Sequence, residues 1–351
     1  MKDATKQRNY SLDVARVFAI FAVIMIHCSA PFLSEYQIFS REFTFGNLFN
    51  SISRLGVPLF LMISGSLFLD EKKEITLKGI LSKNVKNLAI TTIIWATIYS
   101  LVNNVILVLM AGNEVSVKSV FATIVTGQYH MWYLYMIMGL YIITPFLKSF
   151  VRKENKGMVL AFIAMAFIMQ FLLPAASKLL IKYFEIYWID YLLNETITVF
   201  FNGFTIYFLA GWYIVHVGIE RKFIRFIIYL MGLLSLAYMI YTVHHTGYYK
   251  DAYANLGIPV FVYATSVFLA LNNIKFNFKG RAAKILVQLS KLTFGAYIVH
   301  VLVLYVLAKF LPYNNQGVSF LIIRFIIVTF VSFAIAFIIS KIPLIKKVIR
   351  A

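Results

Sequence analysis

Long apolar stretches of about twenty residues alternate with short polar segments along the whole chain. A helix of roughly twenty residues crosses the hydrocarbon core of a bilayer, which is about 30 Å thick. No repeat, low-complexity tract or soluble segment interrupts the pattern, which predicts an all-α polytopic membrane protein with a single domain over residues 1–351. Ten stretches are long enough, and we predict transmembrane helices at about 12–33, 46–69, 88–111, 130–147, 158–176, 196–217, 226–244, 257–272, 286–310 and 318–340.

The composition supports this fold class and excludes an ordinary soluble domain. Apolar residues make up 61% of the chain and charged residues only 13%, whereas about a quarter of the residues in typical soluble proteins are charged. The first apolar stretch follows Lys2, Lys6 and Arg8 as a signal peptide would, but it is too long for one and contains Arg16 and His27. We therefore expect it to remain as the first transmembrane helix.

The positive charges lie mainly on one side of the predicted membrane topology. The formal net charge is +19, and an even number of spans puts both termini on one side, which carries 24 Lys and Arg residues against 6 on the other. The positive-inside rule therefore predicts that both termini are cytoplasmic. Because the basic residues form short clusters between apolar stretches, we do not expect a nucleic-acid partner.

The first predicted helix carries ionisable residues on one stripe. His27 lies eleven positions after Arg16, which is about 16 Å along a helix and brings the two side chains to within about 20° of each other. Asp13 lies three residues before Arg16, close enough for an ion pair. Ionisable groups inside a bilayer are functional candidates. The alternative is a buried polar stripe that only joins helices.

Depth along the alternating helices predicts which residues share a layer. Counted from the cytoplasmic ends, His27, Arg54 and His300 lie at similar depths, about 15 residues into their spans. Arg54 is the second candidate for a functional charge, and the alternative for it is an ion pair with Glu35 or Glu42 near the outer surface.

A second layer lies closer to the cytosol. Arg16, Ser64, Gly65 and Lys291 are each about 5 residues into their spans. We expect Lys291 to extend to the cytosolic interface and Arg324 to extend to the outer one, as long basic side chains do near helix ends. Pro58 and Gly65 are expected to loosen the second span and to let a ligand or another backbone approach closely.

Several further residues are candidates for substrate contacts. His130 and Trp132 lie at the outer mouth of the fourth predicted span, where Trp is often only part of the interfacial aromatic belt. Tyr297 lies three residues before His300 on the same helical face. Cys28 is the only cysteine and the six histidines lack HxxxH or HExxH spacing, so the sequence predicts no metal site.

Separated segments together resemble the acyltransferase-3 family of bacterial integral-membrane acyltransferases. LDVAR with His27 resembles the Arg-x10-His pattern of the family's first helix, and SRLGVPLFLMISGSLF resembles its most specific segment. HMWYLYMIMGLYIITPFL, YFLAGWYI and FGAYIVH resemble its later motifs in the same order. The resemblance covers essentially the whole chain.

The resemblance implies a multi-pass enzyme of the bacterial plasma membrane. It would transfer an acyl group, most often acetyl, from cytosolic acyl-CoA to a hydroxyl of a cell-envelope glycan or lipid-linked sugar, with no tightly bound cofactor. His27 would be the general base, and Arg54 or His300 would stabilise the oxyanion. Besides the bilayer, these substrates are the expected partners, and a homo-oligomer is compatible with the sequence. Arg16, Ser64 and Gly65 would contact acyl-CoA, whereas His130, Trp132 and Tyr297 would contact the acceptor.

A transporter or flippase for a lipid-linked or polymeric sugar is the alternative function. Intramembrane charges also line transport paths, although no duplicated half with paired broken helices is visible in this sequence. A structural membrane subunit would leave the stripe of Arg16 and His27 without a purpose.

Overall fold

The computed structural model describes residues 10–188, 203–312, 317–343 and 349. Within these residues the chain is helical and contains no strand. The predicted all-α fold is therefore confirmed. The helices are α1 (Tyr10–Ser34), α2 (Arg41–Ser53), α3 (Gly56–Phe68), α4 (Leu77–Met110), α5 (Val117–Thr126), α6 (Trp132–Lys148), α7 (Lys153–Phe184), α8 (Thr205–Val217), α9 (Lys222–Thr246), α10 (Ile258–Asn273), α11 (Gly280–Phe310) and α12 (Val318–Lys341).

Eight segments in the described part of the chain are long and apolar enough to cross a membrane. They are α1, α2 with α3, α4, α5 with α6, α7, α9, α11 and α12. The shorter apolar helices α8 and α10 correspond to the predicted spans 196–217 and 257–272, and the first of these spans is described only from Gly203 onward. A polytopic membrane protein is confirmed, whereas ten spans and cytoplasmic termini remain predictions.

Helix α1 lies at the centre of the bundle. It packs against α2, α3, α10, α11 and α12. Of the 18-residue apolar stretch of α1, 56% is buried inside the protein, compared with 17% for that of the peripheral helix α9. Asn50 of α2 donates hydrogen bonds to the Ile26 carbonyl at 3.1 Å and to the Ser29 hydroxyl at 2.9 Å. The first helix is therefore held by packing on many sides and by polar contacts in its C-terminal half.

The second predicted span is broken at Arg54. Helix α2 ends at Ser53 and α3 begins at Gly56. Pro58 has no backbone N–H and cannot donate to the Arg54 carbonyl four residues earlier, so a continuous helix would leave that carbonyl unpaired. The break thus follows from the proline that the sequence analysis singled out, and it places Arg54 at a helix junction.

Glycines bring α3 and α8 into backbone contact. A Cβ added to Gly65 would lie 1.9 Å from the Phe208 carbonyl oxygen, and one added to Gly211 would lie 2.0 Å from the Met62 carbonyl oxygen. Small residues allow such close approach between membrane helices. The ISG and FLAG segments that contributed to the family resemblance are therefore packed directly against each other.

We expect Gly65→Ala to destabilise the protein, because the added methyl overlaps backbone atoms that cannot move aside. Overpacking costs about 1–3 kcal/mol even where side chains can adjust. Thermal unfolding of the detergent-solubilised protein measures the effect. Gly139→Ala is the matched control, since a Cβ there meets nothing within 4 Å. Equal melting temperatures for the two variants would contradict the close backbone contact between α3 and α8.

The prediction for Arg324 is wrong. Its side chain does not extend to the outer interface but is buried, with 1% of the residue exposed. Its Nη2 donates to the Leu311 carbonyl at 2.9 Å, at the end of α11. A cation near the last carbonyls of a helix also interacts favourably with the helix dipole. Arg324 therefore links α12 to the C-terminal end of the helix that carries His300.

Candidate active site

Three histidines from different helical segments meet near the middle of the bundle. The ring centroids of His27 and His300 are 5.1 Å apart, and those of His130 and His300 are 5.2 Å apart. His300 is fully buried, His130 is 3% exposed and His27 is partly exposed. Within the described ranges no group of three His, Cys, Asp or Glu residues could hold a metal ion. We call these three residues the histidine cluster.

A short turn directs His130 into the cluster. Tyr129–Met131 forms one turn of 3-10 helix before α6, and the Met131 N–H donates to the Gln128 carbonyl at 2.7 Å. The Gln128 side chain donates to the Tyr305 hydroxyl of α11, which ties the turn to the helix that carries His300. The sequence predicted His130 at the mouth of a span, and this tighter turn instead buries it against α11.

The hydrogen bonds of His300 fix its tautomer. Its Nδ1 lies at hydrogen-bonding distance from the Tyr297 carbonyl, which can only accept. Nδ1 therefore carries the hydrogen, and Nε2 of the neutral ring has a free lone pair. Within the described chain this Nε2 is buried without a hydrogen-bond partner. Such an orphaned polar atom calls for a substrate or another partner, because leaving it unpaired costs free energy.

Arg54 is held beside the cluster by two contacts. Its Nη2 donates to the side-chain amide oxygen of Asn50, and its guanidinium lies 4.2 Å from the centroid of the Tyr253 ring. Asn50 also donates to the carbonyl of Ile26, the residue before His27, so this contact places Arg54 near the cluster. In the part of the chain that the structure describes, Arg54 makes no ion pair with Glu35 or Glu42, so this alternative is not supported.

A cavity of about 910 Å³ extends from the Arg16 end of α1 into the bundle. Its inner lining includes Ser64, Tyr133 and Tyr297, and the hydroxyl of Ser64 lies within hydrogen-bonding reach of Tyr133 and Tyr141. The lining includes neither Arg54 nor any residue of the histidine cluster. Four basic residues line the cavity, namely Arg16, Lys284, Lys291 and Lys341.

The predicted partner of Arg16 is present. Arg16 Nη1 lies 3.7 Å from Asp13 Oδ1, and the Ser290 hydroxyl donates to the same oxygen at 2.6 Å. Asp13 therefore links α1 to α11 beside the cavity. The side chain of Arg16 keeps 29% of its surface exposed, so it remains accessible to a ligand in the cavity.

Two of the predicted site residues lie away from the places expected for them. Gly65 does not line the cavity but faces Phe208 of α8, so its position indicates a packing role rather than contact with acyl-CoA. Trp132 is 38% exposed and packs against Phe204, as an interfacial tryptophan would. Ser64 lines the cavity as expected, and Tyr297, which was expected to contact the acceptor, lines the same cavity.

The sequence analysis missed Tyr129. Its ring lies 5.3 Å from His27 between centroids, its hydroxyl lies 3.5 Å from His27 Nδ1, and 54% of the residue is exposed. His27 itself is partly exposed and does not line the cavity. Beside Tyr129 the cluster therefore comes near the surface at a place apart from the cavity. Only its position next to His130 could have pointed to Tyr129.

The comparisons with known proteins give one result. A family model described as an acyltransferase domain matches residues 9–341, which is nearly the whole chain. No curated protein and no solved structure matches the chain. The match includes all the segments on which the family resemblance rests, as well as the histidine cluster and the basic cavity. The chain therefore belongs to the acyltransferase-3 family of integral-membrane acyltransferases.

Proposed function

We propose that this membrane acyltransferase moves an acyl group, most often acetyl, from cytosolic acyl-CoA to a hydroxyl of a cell-envelope glycan or lipid-linked sugar. The single observation that carries the proposal is the two-sided access to the histidine cluster. A basic cavity leads toward it from the Arg16 end of α1, and the partly exposed His27, which does not line that cavity, lies beside the exposed Tyr129. This arrangement suits a donor and an acceptor that arrive from opposite sides of a membrane.

The chemistry of the cavity matches acyl-CoA. CoA carries phosphates at its nucleotide end and a thioester at the tip of a long pantetheine arm. Arg16, Lys284, Lys291 and Lys341 supply cations that make charge-assisted hydrogen bonds with phosphates. The separation of about 16 Å between Arg16 and His27 is comparable to an extended pantetheine arm. In this proposal the phosphates bind the basic residues while the thioester approaches the histidine cluster.

The side assignment rests on the distribution of charge. The Arg16 end of α1 lies on the side with 24 of the Lys and Arg residues, which the positive-inside rule assigns to the cytosol. The cavity would then open where acyl-CoA is made. Tyr129 and the exposed face of His27 would lie toward the envelope.

The reaction needs one proton acceptor and one stabilised oxyanion. Neutral His27 takes the proton of the acceptor hydroxyl while its oxygen attacks the thioester carbonyl. The carbonyl oxygen becomes negative, the new C–O bond forms, and the C–S bond then breaks. The proton held by His27 finally passes to the departing CoA thiolate. The products are an ester and CoA thiol, and no outside reactant is consumed.

The hydrogen bonding favours Arg54 over His300 as the oxyanion partner. Arg54 carries a permanent positive charge, with Nη2 donating to Asn50 and its guanidinium stacked on Tyr253. Neutral His300 has committed its only ring hydrogen to the Tyr297 carbonyl. Its Nε2 can accept a proton but cannot donate one to an oxyanion. His300 therefore fits the role of a second proton acceptor next to His27.

Ester content and CoA release test this function together. Envelope glycans from cells with the protein should carry alkali-labile acyl groups that are lost when the gene is deleted and restored with it. The purified protein should release CoA thiol from acetyl-CoA when a glycan fraction from the deletion strain is added. A transporter would release no CoA thiol, and that result would overturn the proposal.

Arg16→Ala should weaken CoA binding, because a charge-assisted contact is worth about 1.5–3 kcal/mol. Arg16→Lys should restore only part of the affinity, since lysine cannot form the two-pronged contact of a guanidinium. Isothermal titration of the purified protein with CoA gives the dissociation constants. Lys118→Ala removes the same charge from an exposed site outside the cavity lining and should leave them unchanged. An unchanged constant for Arg16→Ala would show that the phosphates bind elsewhere.

A further inference from the structure

We propose that Tyr297 closes the inner end of the cavity and protects the thioester from hydrolysis. This inference rests on the proposed function and concerns how the donor reaches the histidine cluster. The side chain of Tyr297 lies between the two regions. It lines the cavity, and its ring centroid is 5.7 Å from that of His130 and 5.8 Å from that of His300.

Two interactions hold the Tyr297 side chain in this position. Its hydroxyl donates a hydrogen bond to the backbone carbonyl of His130, which links α11 to the turn before α6. Its ring packs against Tyr133 at a centroid distance of 5.6 Å, and Tyr133 also lines the cavity. Only 4% of Tyr297 is exposed. We call the hydrogen bond between the Tyr297 hydroxyl and the His130 carbonyl the tyrosine latch.

The latch has a chemical consequence. A thioester at the inner end of the cavity meets Tyr133 and Tyr297, whereas the histidines lie beyond them. His27, on the far side, is partly exposed and could activate water as readily as a sugar hydroxyl. Attack by water would convert acetyl-CoA to acetate and CoA thiol with no acceptor modified. A closed Tyr297 keeps the thioester from this reaction until the side chain moves aside.

Tyr297→Phe separates the latch from the other roles of this residue. The variant keeps the ring and also the backbone carbonyl that fixes the tautomer of His300, and it removes only the hydroxyl. Losing a hydrogen bond of ordinary strength should raise the population in which the Tyr297 side chain has moved aside by roughly two- to tenfold. Acceptor-free hydrolysis of acetyl-CoA should therefore rise about two- to tenfold in Tyr297→Phe, and further in Tyr297→Ala, which also removes the ring.

The assay follows CoA thiol release by the purified full-length protein with acetyl-CoA and no acceptor. Tyr207→Phe is the matched control, since it also removes a buried hydroxyl that donates to a backbone carbonyl, that of Asn255, whereas Tyr207 does not line the cavity. Hydrolysis should not rise in that variant. A merely structural role for Tyr297 would lower hydrolysis and transfer together. Hydrolysis that is unchanged or lower in both Tyr297 variants would overturn the proposal.

A labelling experiment tests the barrier without relying on activity. With Cys28→Ser and His300→Cys, the chain has one thiol on the far side of Tyr297. A membrane-impermeant, negatively charged methanethiosulfonate reagent, which the basic cavity admits, should label it slowly from the cavity side, and at least several times faster once Tyr297→Ala is added. Equal rates would show that Tyr297 is no barrier. Because this readout needs no acyl transfer, it separates failure of the barrier from failure of the proposed function.

Discussion

His27→Gln should reduce acyl transfer by about 10²–10⁴-fold while the protein folds and binds acyl-CoA normally. Removing a general base typically has an effect of this size. Glutamine keeps the approximate volume and the hydrogen-bonding capacity of the imidazole but cannot take up a proton near neutral pH. The contact of His27 with the Tyr129 hydroxyl remains available to the glutamine side chain. A residue that only joined helices would tolerate this change.

Transfer rate, thermal stability and CoA affinity are measured on the same His27→Gln preparation. His245→Gln makes the same substitution at an exposed histidine on α9, whose ring contacts the carbonyl of its own helix. It should retain the wild-type rate. If His27→Gln keeps a substantial fraction of that rate, or if its loss of activity follows an equal loss of stability, His27 is not the base.

Arg54→Gln should lower kcat by about 10²–10³-fold, the usual effect of removing one oxyanion partner. The affinity for CoA should change little, because Arg54 is not part of the cavity lining. The reason for the effect on kcat is that negative charge develops on the thioester oxygen only in the transition state. Steady-state kinetics with acetyl-CoA and a glycan acceptor separates kcat from KM.

Two further variants divide the Arg54 effect into charge and position. Arg54→Lys keeps the charge but loses the planar group that contacts both Asn50 and the Tyr253 ring, so an intermediate kcat is expected. Tyr253→Leu removes the ring and leaves the guanidinium, and it should cost less than Arg54→Gln. A raised KM for acetyl-CoA with unchanged kcat in Arg54→Gln would instead assign Arg54 to donor binding.

Helix periodicity explains why much of the site could be predicted. The position of Arg16 relative to His27 is fixed by the geometry of a single helix, and Asp13 pairs with Arg16 at the expected spacing of three residues. Depth counted from the helix ends predicted that His27 and His300 share a layer, and their ring centroids are 5.1 Å apart. Both inferences need only the rise per residue and the alternation of helix direction.

Residues that depend on how helices pack against each other could not be predicted in this way. A glycine such as Gly65 signals close approach, but the sequence does not show that its neighbour is the Phe208 backbone rather than acyl-CoA. Lys284 and Lys341 line the cavity because α11 and α12 come together there, and the sequence analysis counted both only among the cytoplasmic charges. The burial of Arg324 likewise depends on the end of a neighbouring helix.

The direction of transfer across a sealed membrane tests the central claim most directly. Radiolabelled acetyl-CoA, which does not cross the bilayer, is added outside vesicles that carry the protein and their native envelope glycans. Inside-out vesicles should accumulate alkali-labile label on the enclosed glycans, and right-side-out vesicles should do so only after permeabilisation. Inside-out vesicles with His27→Gln should stay unlabelled. The contrary result is that intact right-side-out vesicles are labelled as strongly as inside-out vesicles, or more strongly. It would contradict a site with a cytosolic donor cavity and an acceptor on the far side.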